Sequence, residues 1–172
     1  QLDDRAVFLQ RWYQLLRDAL QSAPEQQLRN LNSATSEWSG HASIDSVDYR
    51  ITRAFRLNVI EAVMKPFGDQ VTQRHADFAL PSAQGYEAAV WAMIEAQPAH
   101  LLNPEYESWP ALLLAAAERV EKELDEREGG IAKRNWGERN TSAIRHPLSR
   151  ALPGFISRWL DMPAEALPGD SN

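Results

Sequence analysis

Apolar residues recur at helical spacing through the first three quarters of the chain and lose that period after Gly129. Phe8, Trp12, Leu15, Leu16 and Ala19 share one face of a helix running to about Leu20, and Asp3 or Asp4 is placed to cap its start. Ser22-Ala-Pro-Glu25 has the form of a capping box with proline in the first turn, so a short helix through Leu28 and Leu31 is expected next. Gly40 breaks the pattern, and Ser43 or Asp45 can then accept from the free N–H groups of a long helix. That helix carries Val47, Ile51, Ala54, Phe55, Asn58 and Ala62 in register, and Pro66 and Gly68 are expected to end it.

The stretch from Asp69 to Pro81 has no clear pattern. Ser82 is read as the start of a helix that buries Tyr86, Ala89, Val90, Met93 and Ile94 and stops before Pro98. Ser108-Trp-Pro110 opens the last long helix, with Leu113, Ala116, Val120 and Leu124 inward. On its wet side Glu118/Lys122 and Glu123/Arg127 are i,i+4 pairs, and Gly129-Gly130 supplies the stop. Beyond it no helical or strand period holds for long, although Phe155 to Leu160 has room for a turn or two of helix.

The pattern therefore predicts a mainly α protein: an irregular multi-helix domain over residues 1–128, with about five helices, and an extended, proline-containing tail over residues 129–172 packed on it. A tail without a hydrogen-bond ladder of its own must be held by side-chain burial and local polar bonds. Trp136, Ile144, Pro147, Leu148 and Trp159 are the expected anchors.

Composition sharpens this in three ways. An apolar share of 44% with six tryptophans is enough for a core in a chain of 172 residues, one domain's worth. Residues 1–128 hold twelve Lys/Arg against twenty Asp/Glu, and residues 129–172 six against four, so the body is acidic and the tail weakly basic. An acidic body argues against nucleic-acid backbones as partners. The basic cluster Lys133, Arg134, Arg139, Arg145 and Arg150 reads most simply as a solvated loop. No cysteine is present, which excludes disulfides, thiolate metal sites and a thiol nucleophile. No window is apolar enough to span a bilayer, no membrane partner is expected, and no signal-peptide pattern is visible at Gln1.

Candidate chemistry is sparse. His41, His75, His100 and His146 stand at no metal-ligand spacing with one another or with a carboxylate, and His100, at a helix exit, is read as capping a carbonyl. A serine nucleophile needs a glycine elbow or a free N-terminal Ser, Thr or Cys, and Gln1 has no hydroxyl or thiol. Asp3, Asp4 and Glu25 sit where helix caps explain them. No catalytic, cofactor or metal residue is assigned. Trp38, Gly40, Trp136, Gly137, Asn140, His146, Pro147 and Leu148 stand out instead as structural. A Trp-Gly pair joins a large anchor to a backbone free to turn, Asn140 can bridge main-chain groups, and His146 before proline is biased to extended backbone.

These residues also carry a resemblance. Trp136-Gly-Glu-Arg-Asn140, Ile144-Arg-His-Pro-Leu148, Leu160-Asp-Met-Pro163 and Leu167-Pro-Gly-Asp170, in this order, resemble the late part of the β chain of the penicillin acylase (penicillin amidase) family of N-terminal-nucleophile hydrolases. Weaker pieces precede them: Leu9-Gln-Arg-Trp12, Trp38-Ser-Gly40 with Ala42-Ser-Ile-Asp-Ser46, Arg53-Ala-Phe-Arg56 and Pro98-Ala-His-Leu-Leu102. The likeness to penicillin acylases and to acyl-homoserine-lactone acylases is about equal.

The resemblance implies a precursor that cuts itself into α and β chains. The new N-terminal Ser of the β chain attacks a linear amide with its own α-amino group as base, and other β-chain donors hold the oxyanion. It implies a four-layer α/β/β/α core, a periplasmic or secreted site, and the remainder of the acylase α and β chains as partners. None of the catalytic positions maps onto this sequence, and the family's calcium site does not map here, so no cofactor is expected. The reading is a structural segment that buttresses the catalytic core and walls the substrate cleft. The alternative is a free-standing helical protein-interaction module without catalysis.

Overall fold

The computed structural model describes residues 5–24, 26–79, 85–126, 128–142, 144, 147–148, 153 and 161–170. Within these the protein is mainly helical: α1 (Gln10–Ser22), α2 (Arg29–Ala34), α3 (Val47–Arg74), α4 (Glu87–Ala96), α5 (Trp109–Asp125) and α6 (Trp136–Arg139). One antiparallel pair of two-residue strands, β1 (Thr141–Ser142) and β2 (Glu165–Ala166), sets Thr141 opposite Ala166 and Ser142 opposite Glu165. The five helices expected before residue 128 are α1 to α5.

The central element is α3, 28 residues and about 42 Å long. It packs against α1 and α5, with α4 and α6 also in contact. Its face pattern follows from that position. Surrounded on several sides, it buries Tyr49, Ile51, Phe55, Val59, Ile60 and Val63 together with Asp48, Arg50, Thr52, Arg56 and Asn58. By contrast α1 and α5 each turn one apolar stripe inward: Trp12, Leu16 and Ala19 from α1, and Leu112, Leu113, Ala116, Val120 and Leu124 from α5.

Several boundaries differ from the expectation. Pro66 lies inside α3, which continues to Arg74. Proline cannot donate to the carbonyl four residues earlier, and that carbonyl, Ala62 O, instead accepts from Asn103 Nδ2 at 2.8 Å. Asn103 is buried, and its Oδ1 accepts from Glu105 N at 3.0 Å, so the side chain is locked in place. The break in the ladder is thus filled from another element, and the helix runs on. The N-cap of α3 is Ser46, accepting from Tyr49 N at 3.4 Å, rather than Ser43 or Asp45.

Ser22 ends α1 and donates back to Asp18 O at 3.0 Å, so it does not cap α2, which follows Leu28 in left-handed backbone. The first helix begins at Gln10 after a 3-10 turn over Val7–Leu9, and Phe8 is exposed on that turn rather than on the buried face. Leu15 is half-buried, and Ala89 is exposed on α4, whose buried residues are Glu87, Val90 and Ile94. On the wet side of α5 the ion pairs join Arg119 to Glu123 at 3.0 Å and to Glu61 at 3.2 Å, while Glu118 accepts from Gln27. Ser108 caps α5 as expected, accepting from Ala111 N at 3.2 Å. The caps read at Asp3 and Asp4, Glu25, the Ser82 helix start, the Arg127 pair and the Phe155–Leu160 turn lie outside the described residues.

Candidate functional site

The chemistry-bearing residues gather where the late part of the chain meets the first turns of α3. Asn135 starts the arrangement. Its side chain caps α6, accepting from Glu138 N at 2.9 Å, and its own carbonyl accepts from Arg50 Nη1 at 3.0 Å. The backbone of α6 is then tied to the loop before α3: Trp136 N donates to Ser46 O at 2.9 Å and Gly137 N to Ile44 O at 2.7 Å. Gly137 is needed for this approach. A β-carbon there would lie 2.5 Å from Ile44 Cγ2, 3.0 Å from Ile44 O and 3.0 Å from Ala166 Cβ.

Those ties drive the Trp136 indole, 3% exposed, into the body. It meets Tyr49 edge to face with centroids 5.0 Å apart, and the Arg53 guanidinium lies 5.2 Å from the ring centre. The indole N–H donates to Gly169 O at 2.8 Å. Asn140 Nδ2 donates to the same carbonyl at 3.0 Å and to Leu167 O at 2.8 Å, while Leu167 N returns a bond to Asn140 O at 2.8 Å. Gly169, in left-handed backbone at φ +84°, donates to Ala42 O at 2.8 Å. The segment ends against α3, where Asp170 Oδ2 accepts from Tyr49 Oη and from Arg53 Nε, both at 2.6 Å.

The electrostatics keep the Tyr49 hydroxyl protonated. Burial, reinforced by the hydrogen bond to Asp170 and by that carboxylate's charge, holds the Tyr49 hydroxyl well above the usual tyrosine range. Tyr49 is therefore a permanent donor and not a base. Arg50 pairs with Glu138, which also accepts from Arg134 Nη1 at 2.8 Å, and Arg134 Nη2 donates to Glu128 O at 2.7 Å. Just behind, the buried Asp48 accepts from Ser39 N at 2.6 Å, Ser39 Oγ at 2.8 Å and Ser46 Oγ at 2.6 Å. The set is built to hold chain to chain: these donors and acceptors meet a neighbour in the same protein.

A second buried polar cluster ties α1, α3 and α4 together. Glu87 accepts from Trp12 Nε1 at 2.6 Å, from Arg56 Nε at 3.0 Å and Nη2, and from Arg11 Nη2 at 3.3 Å. The Arg11 guanidinium lies over the rings of Trp91 at 4.5 Å and Phe8 at 5.1 Å. Arg56 and Glu87 are both nearly fully buried, so breaking their ion pair would be costly.

The sequence-marked residues divide. Trp136, Gly137 and Asn140 form the seat. Trp38 stacks on Tyr13 at 4.9 Å, and Gly40, at φ +70°, presents its carbonyl to Ala6 N at 2.8 Å. Ile144, Pro147 and Leu148, expected as anchors, are exposed, with Ile144 at 57% and Leu148 at 60%. Ile144 is held through its backbone instead, its carbonyl accepting from Met162 N at 3.1 Å. His146 and Trp159 lie outside the described residues, and His41, His75 and His100 are exposed. Tyr49 and Asp170 were missed as partners. The available signal was the i,i+4 placement of Tyr49 and Arg53, which puts both on one face of α3.

Among the described residues no group of three or more His, Asp and Glu side chains is placed to hold a metal ion. Among them too, no helix is long and apolar enough to cross a membrane. A search of curated proteins finds no match to the chain. The family model described as penicillin amidase matches residues 1–172, the whole of the sequence, and the seat formed by Trp136, Gly137, Asn140 and Asp170 lies in the stretch where the resemblance is sharpest: the chain belongs to the penicillin amidase family.

Proposed function

We propose that this chain is the helical, structural part of a penicillin-acylase-like amidohydrolase that hydrolyses a linear amide, either the acyl side chain of a β-lactam or an acyl-homoserine lactone. In this reading its partners are the remainder of the acylase α and β chains, which contribute the nucleophile, its base and the oxyanion donors. The chain buttresses those layers and walls the substrate cleft. Family membership supports the reaction class.

The observation that carries the structural role is the seat itself. Trp136, Asn140, Tyr49 and Arg53 hold the segment from Leu167 to Asp170 through bonds that leave no activated base or nucleophile among them. Such a seat fixes the segment from Leu167 to Asp170 against the helical body.

The test uses the intact protein, an N-acyl substrate of each class, and the variants Trp136→Phe and Asn140→Ala. A buttress predicts a lowered melting temperature in both, with KM and kcat near wild type when assayed well below each variant's own melting point. Loss of kcat at full stability would make these residues part of the catalytic machinery and reject the structural role.

A further inference from the structure

A cleft of about 210 Å³ lies between α3, α5 and α6, lined by Arg50, Arg53, Ala54, Asn58, Trp136 and Arg139 among others. Its lining mixes the apolar side chains Ala54, Leu57, Leu124 and Trp136 with three arginines. Two of the three have partners and spare donors. Arg53 uses Nε on Asp170, and Arg50 uses Nη1 on Asn135 O and Glu138. Each guanidinium carries five N–H bonds, so the terminal nitrogens of Arg53 and the Nη2 and Nε of Arg50 keep donors in reserve. Arg139 is exposed and, among the described residues, forms no ion pair. Glu123, the carboxylate on the rim, is engaged by Arg119 Nε at 3.0 Å.

The cleft thus offers an exposed guanidinium without a counter-ion, two further guanidinium groups with donors in reserve, and apolar side chains in one small volume. We propose that this cleft binds a small apolar carboxylate. The planar carboxylate matches the forked donors of arginine, one unpaired cation suits a single negative charge, and the volume, below that of a drug-sized pocket, suits a short acyl or single-ring body. The site does not depend on the reading of the chain as a structural segment.

The experiment is titration calorimetry of the intact protein with benzoate, with benzylamine and inorganic phosphate as separate probes. Saturable benzoate binding is expected, with no binding of benzylamine and with phosphate weaker than benzoate. Arg139→Gln is expected to weaken benzoate about tenfold, in line with loss of one charge-assisted bond at an exposed position. Arg74→Gln, about 24 Å further along α3, serves as the charge control and should change nothing. No saturable benzoate binding, equal binding by Arg139→Gln and wild type, or binding of benzylamine as tight as benzoate would each overturn the proposal. Tighter binding of phosphate would replace the carboxylate with a different anion and overturn it as stated.

Discussion

Replacing Gly137 by alanine sets two effects of opposite sign against each other, and the structure decides between them. Gly137 sits in α6 without a positive φ, so helix propensity alone predicts that alanine stabilises the protein by about 1 kcal/mol. The new methyl, however, falls 2.5 Å from Ile44 Cγ2 and 3.0 Å from both Ile44 O and Ala166 Cβ. The first can rotate away, since Ile44 is 43% exposed. The other two are a backbone oxygen and a β-carbon, which move only if α6 backs off from the Ile44 loop and from β2. Overpacking of this kind costs about 1–3 kcal/mol. Backing off also strains the Gly137 N–H bond to Ile44 O, worth about 0.5–1.5 kcal/mol. The net expectation is a loss of about 0.5–3.5 kcal/mol. Urea denaturation measures it, with an unchanged m-value showing that only stability has moved. Ile44→Ala in the same background should recover part of the loss, and Ile44→Ala alone should cost little. A Gly137→Ala protein as stable as wild type, or more so, refutes the close approach.

Four further outcomes follow from the same contacts. Trp136→Ala should cost about 3–5 kcal/mol by denaturation, and a loss below about 1 kcal/mol would reject its anchoring role. Asn103→Ala should cost about 1–3 kcal/mol by leaving Ala62 O without its donor, and adding Pro66→Ala, which restores a backbone N–H, should recover part of it; strict additivity in that double-mutant cycle would count against the bridge. Glu87→Gln should cost about 3–5 kcal/mol because the buried Arg56 loses its ion pair with Glu87, and a near-neutral result would mean the pair is solvated. Tyr49 has a raised folded-state pKa, so the native state holds that proton more tightly than the unfolded chain. Its stabilisation is complete below the unfolded value of about 10 and is lost as pH rises through the folded one. Tyr49→Phe should therefore show a shallower fall in stability above pH about 10, and parallel alkaline limbs for variant and wild type would remove the effect.

What the sequence discloses depends on how far apart the interacting groups lie. The inward stripe of α5, the Trp12, Leu16 and Ala19 part of that of α1, and the Ser108 cap are local patterns, and they read correctly because each needs only neighbours a few residues away. The fate of Pro66 turns on Asn103, a residue 37 positions later, so a local rule for proline stops the helix too early. The buried charges of α3 are invisible for the same reason: Arg56 and Glu87 are 31 positions apart, and Arg53 and Asp170 are 117 apart. At the site, Trp136, Gly137 and Asn140 stood out because a large ring, a missing side chain and a carboxamide each have a recognisable local use. Ile144 and Leu148 misled because apolar character alone does not say whether a surface is left to cover them.

The long separations in the seat also govern the order of assembly. Tyr49 and Arg53 cannot meet Asp170 until a loop of more than a hundred residues has closed, and Trp136 waits 33 residues for Gly169. Closing such loops is an entropic cost that only later contacts repay. The contacts of α3 with α1 and with α5 close shorter loops than those from Tyr49 and Arg53 to Asp170, so these helices pack first and the segment from Leu167 to Asp170 docks onto a surface already made. Contacts that form after the folding barrier act mainly on the unfolding rate. The Trp136 and Asp170 latch is then a brake on opening: weakening it should shorten the lifetime of the native state while leaving the rate of reaching it nearly unchanged.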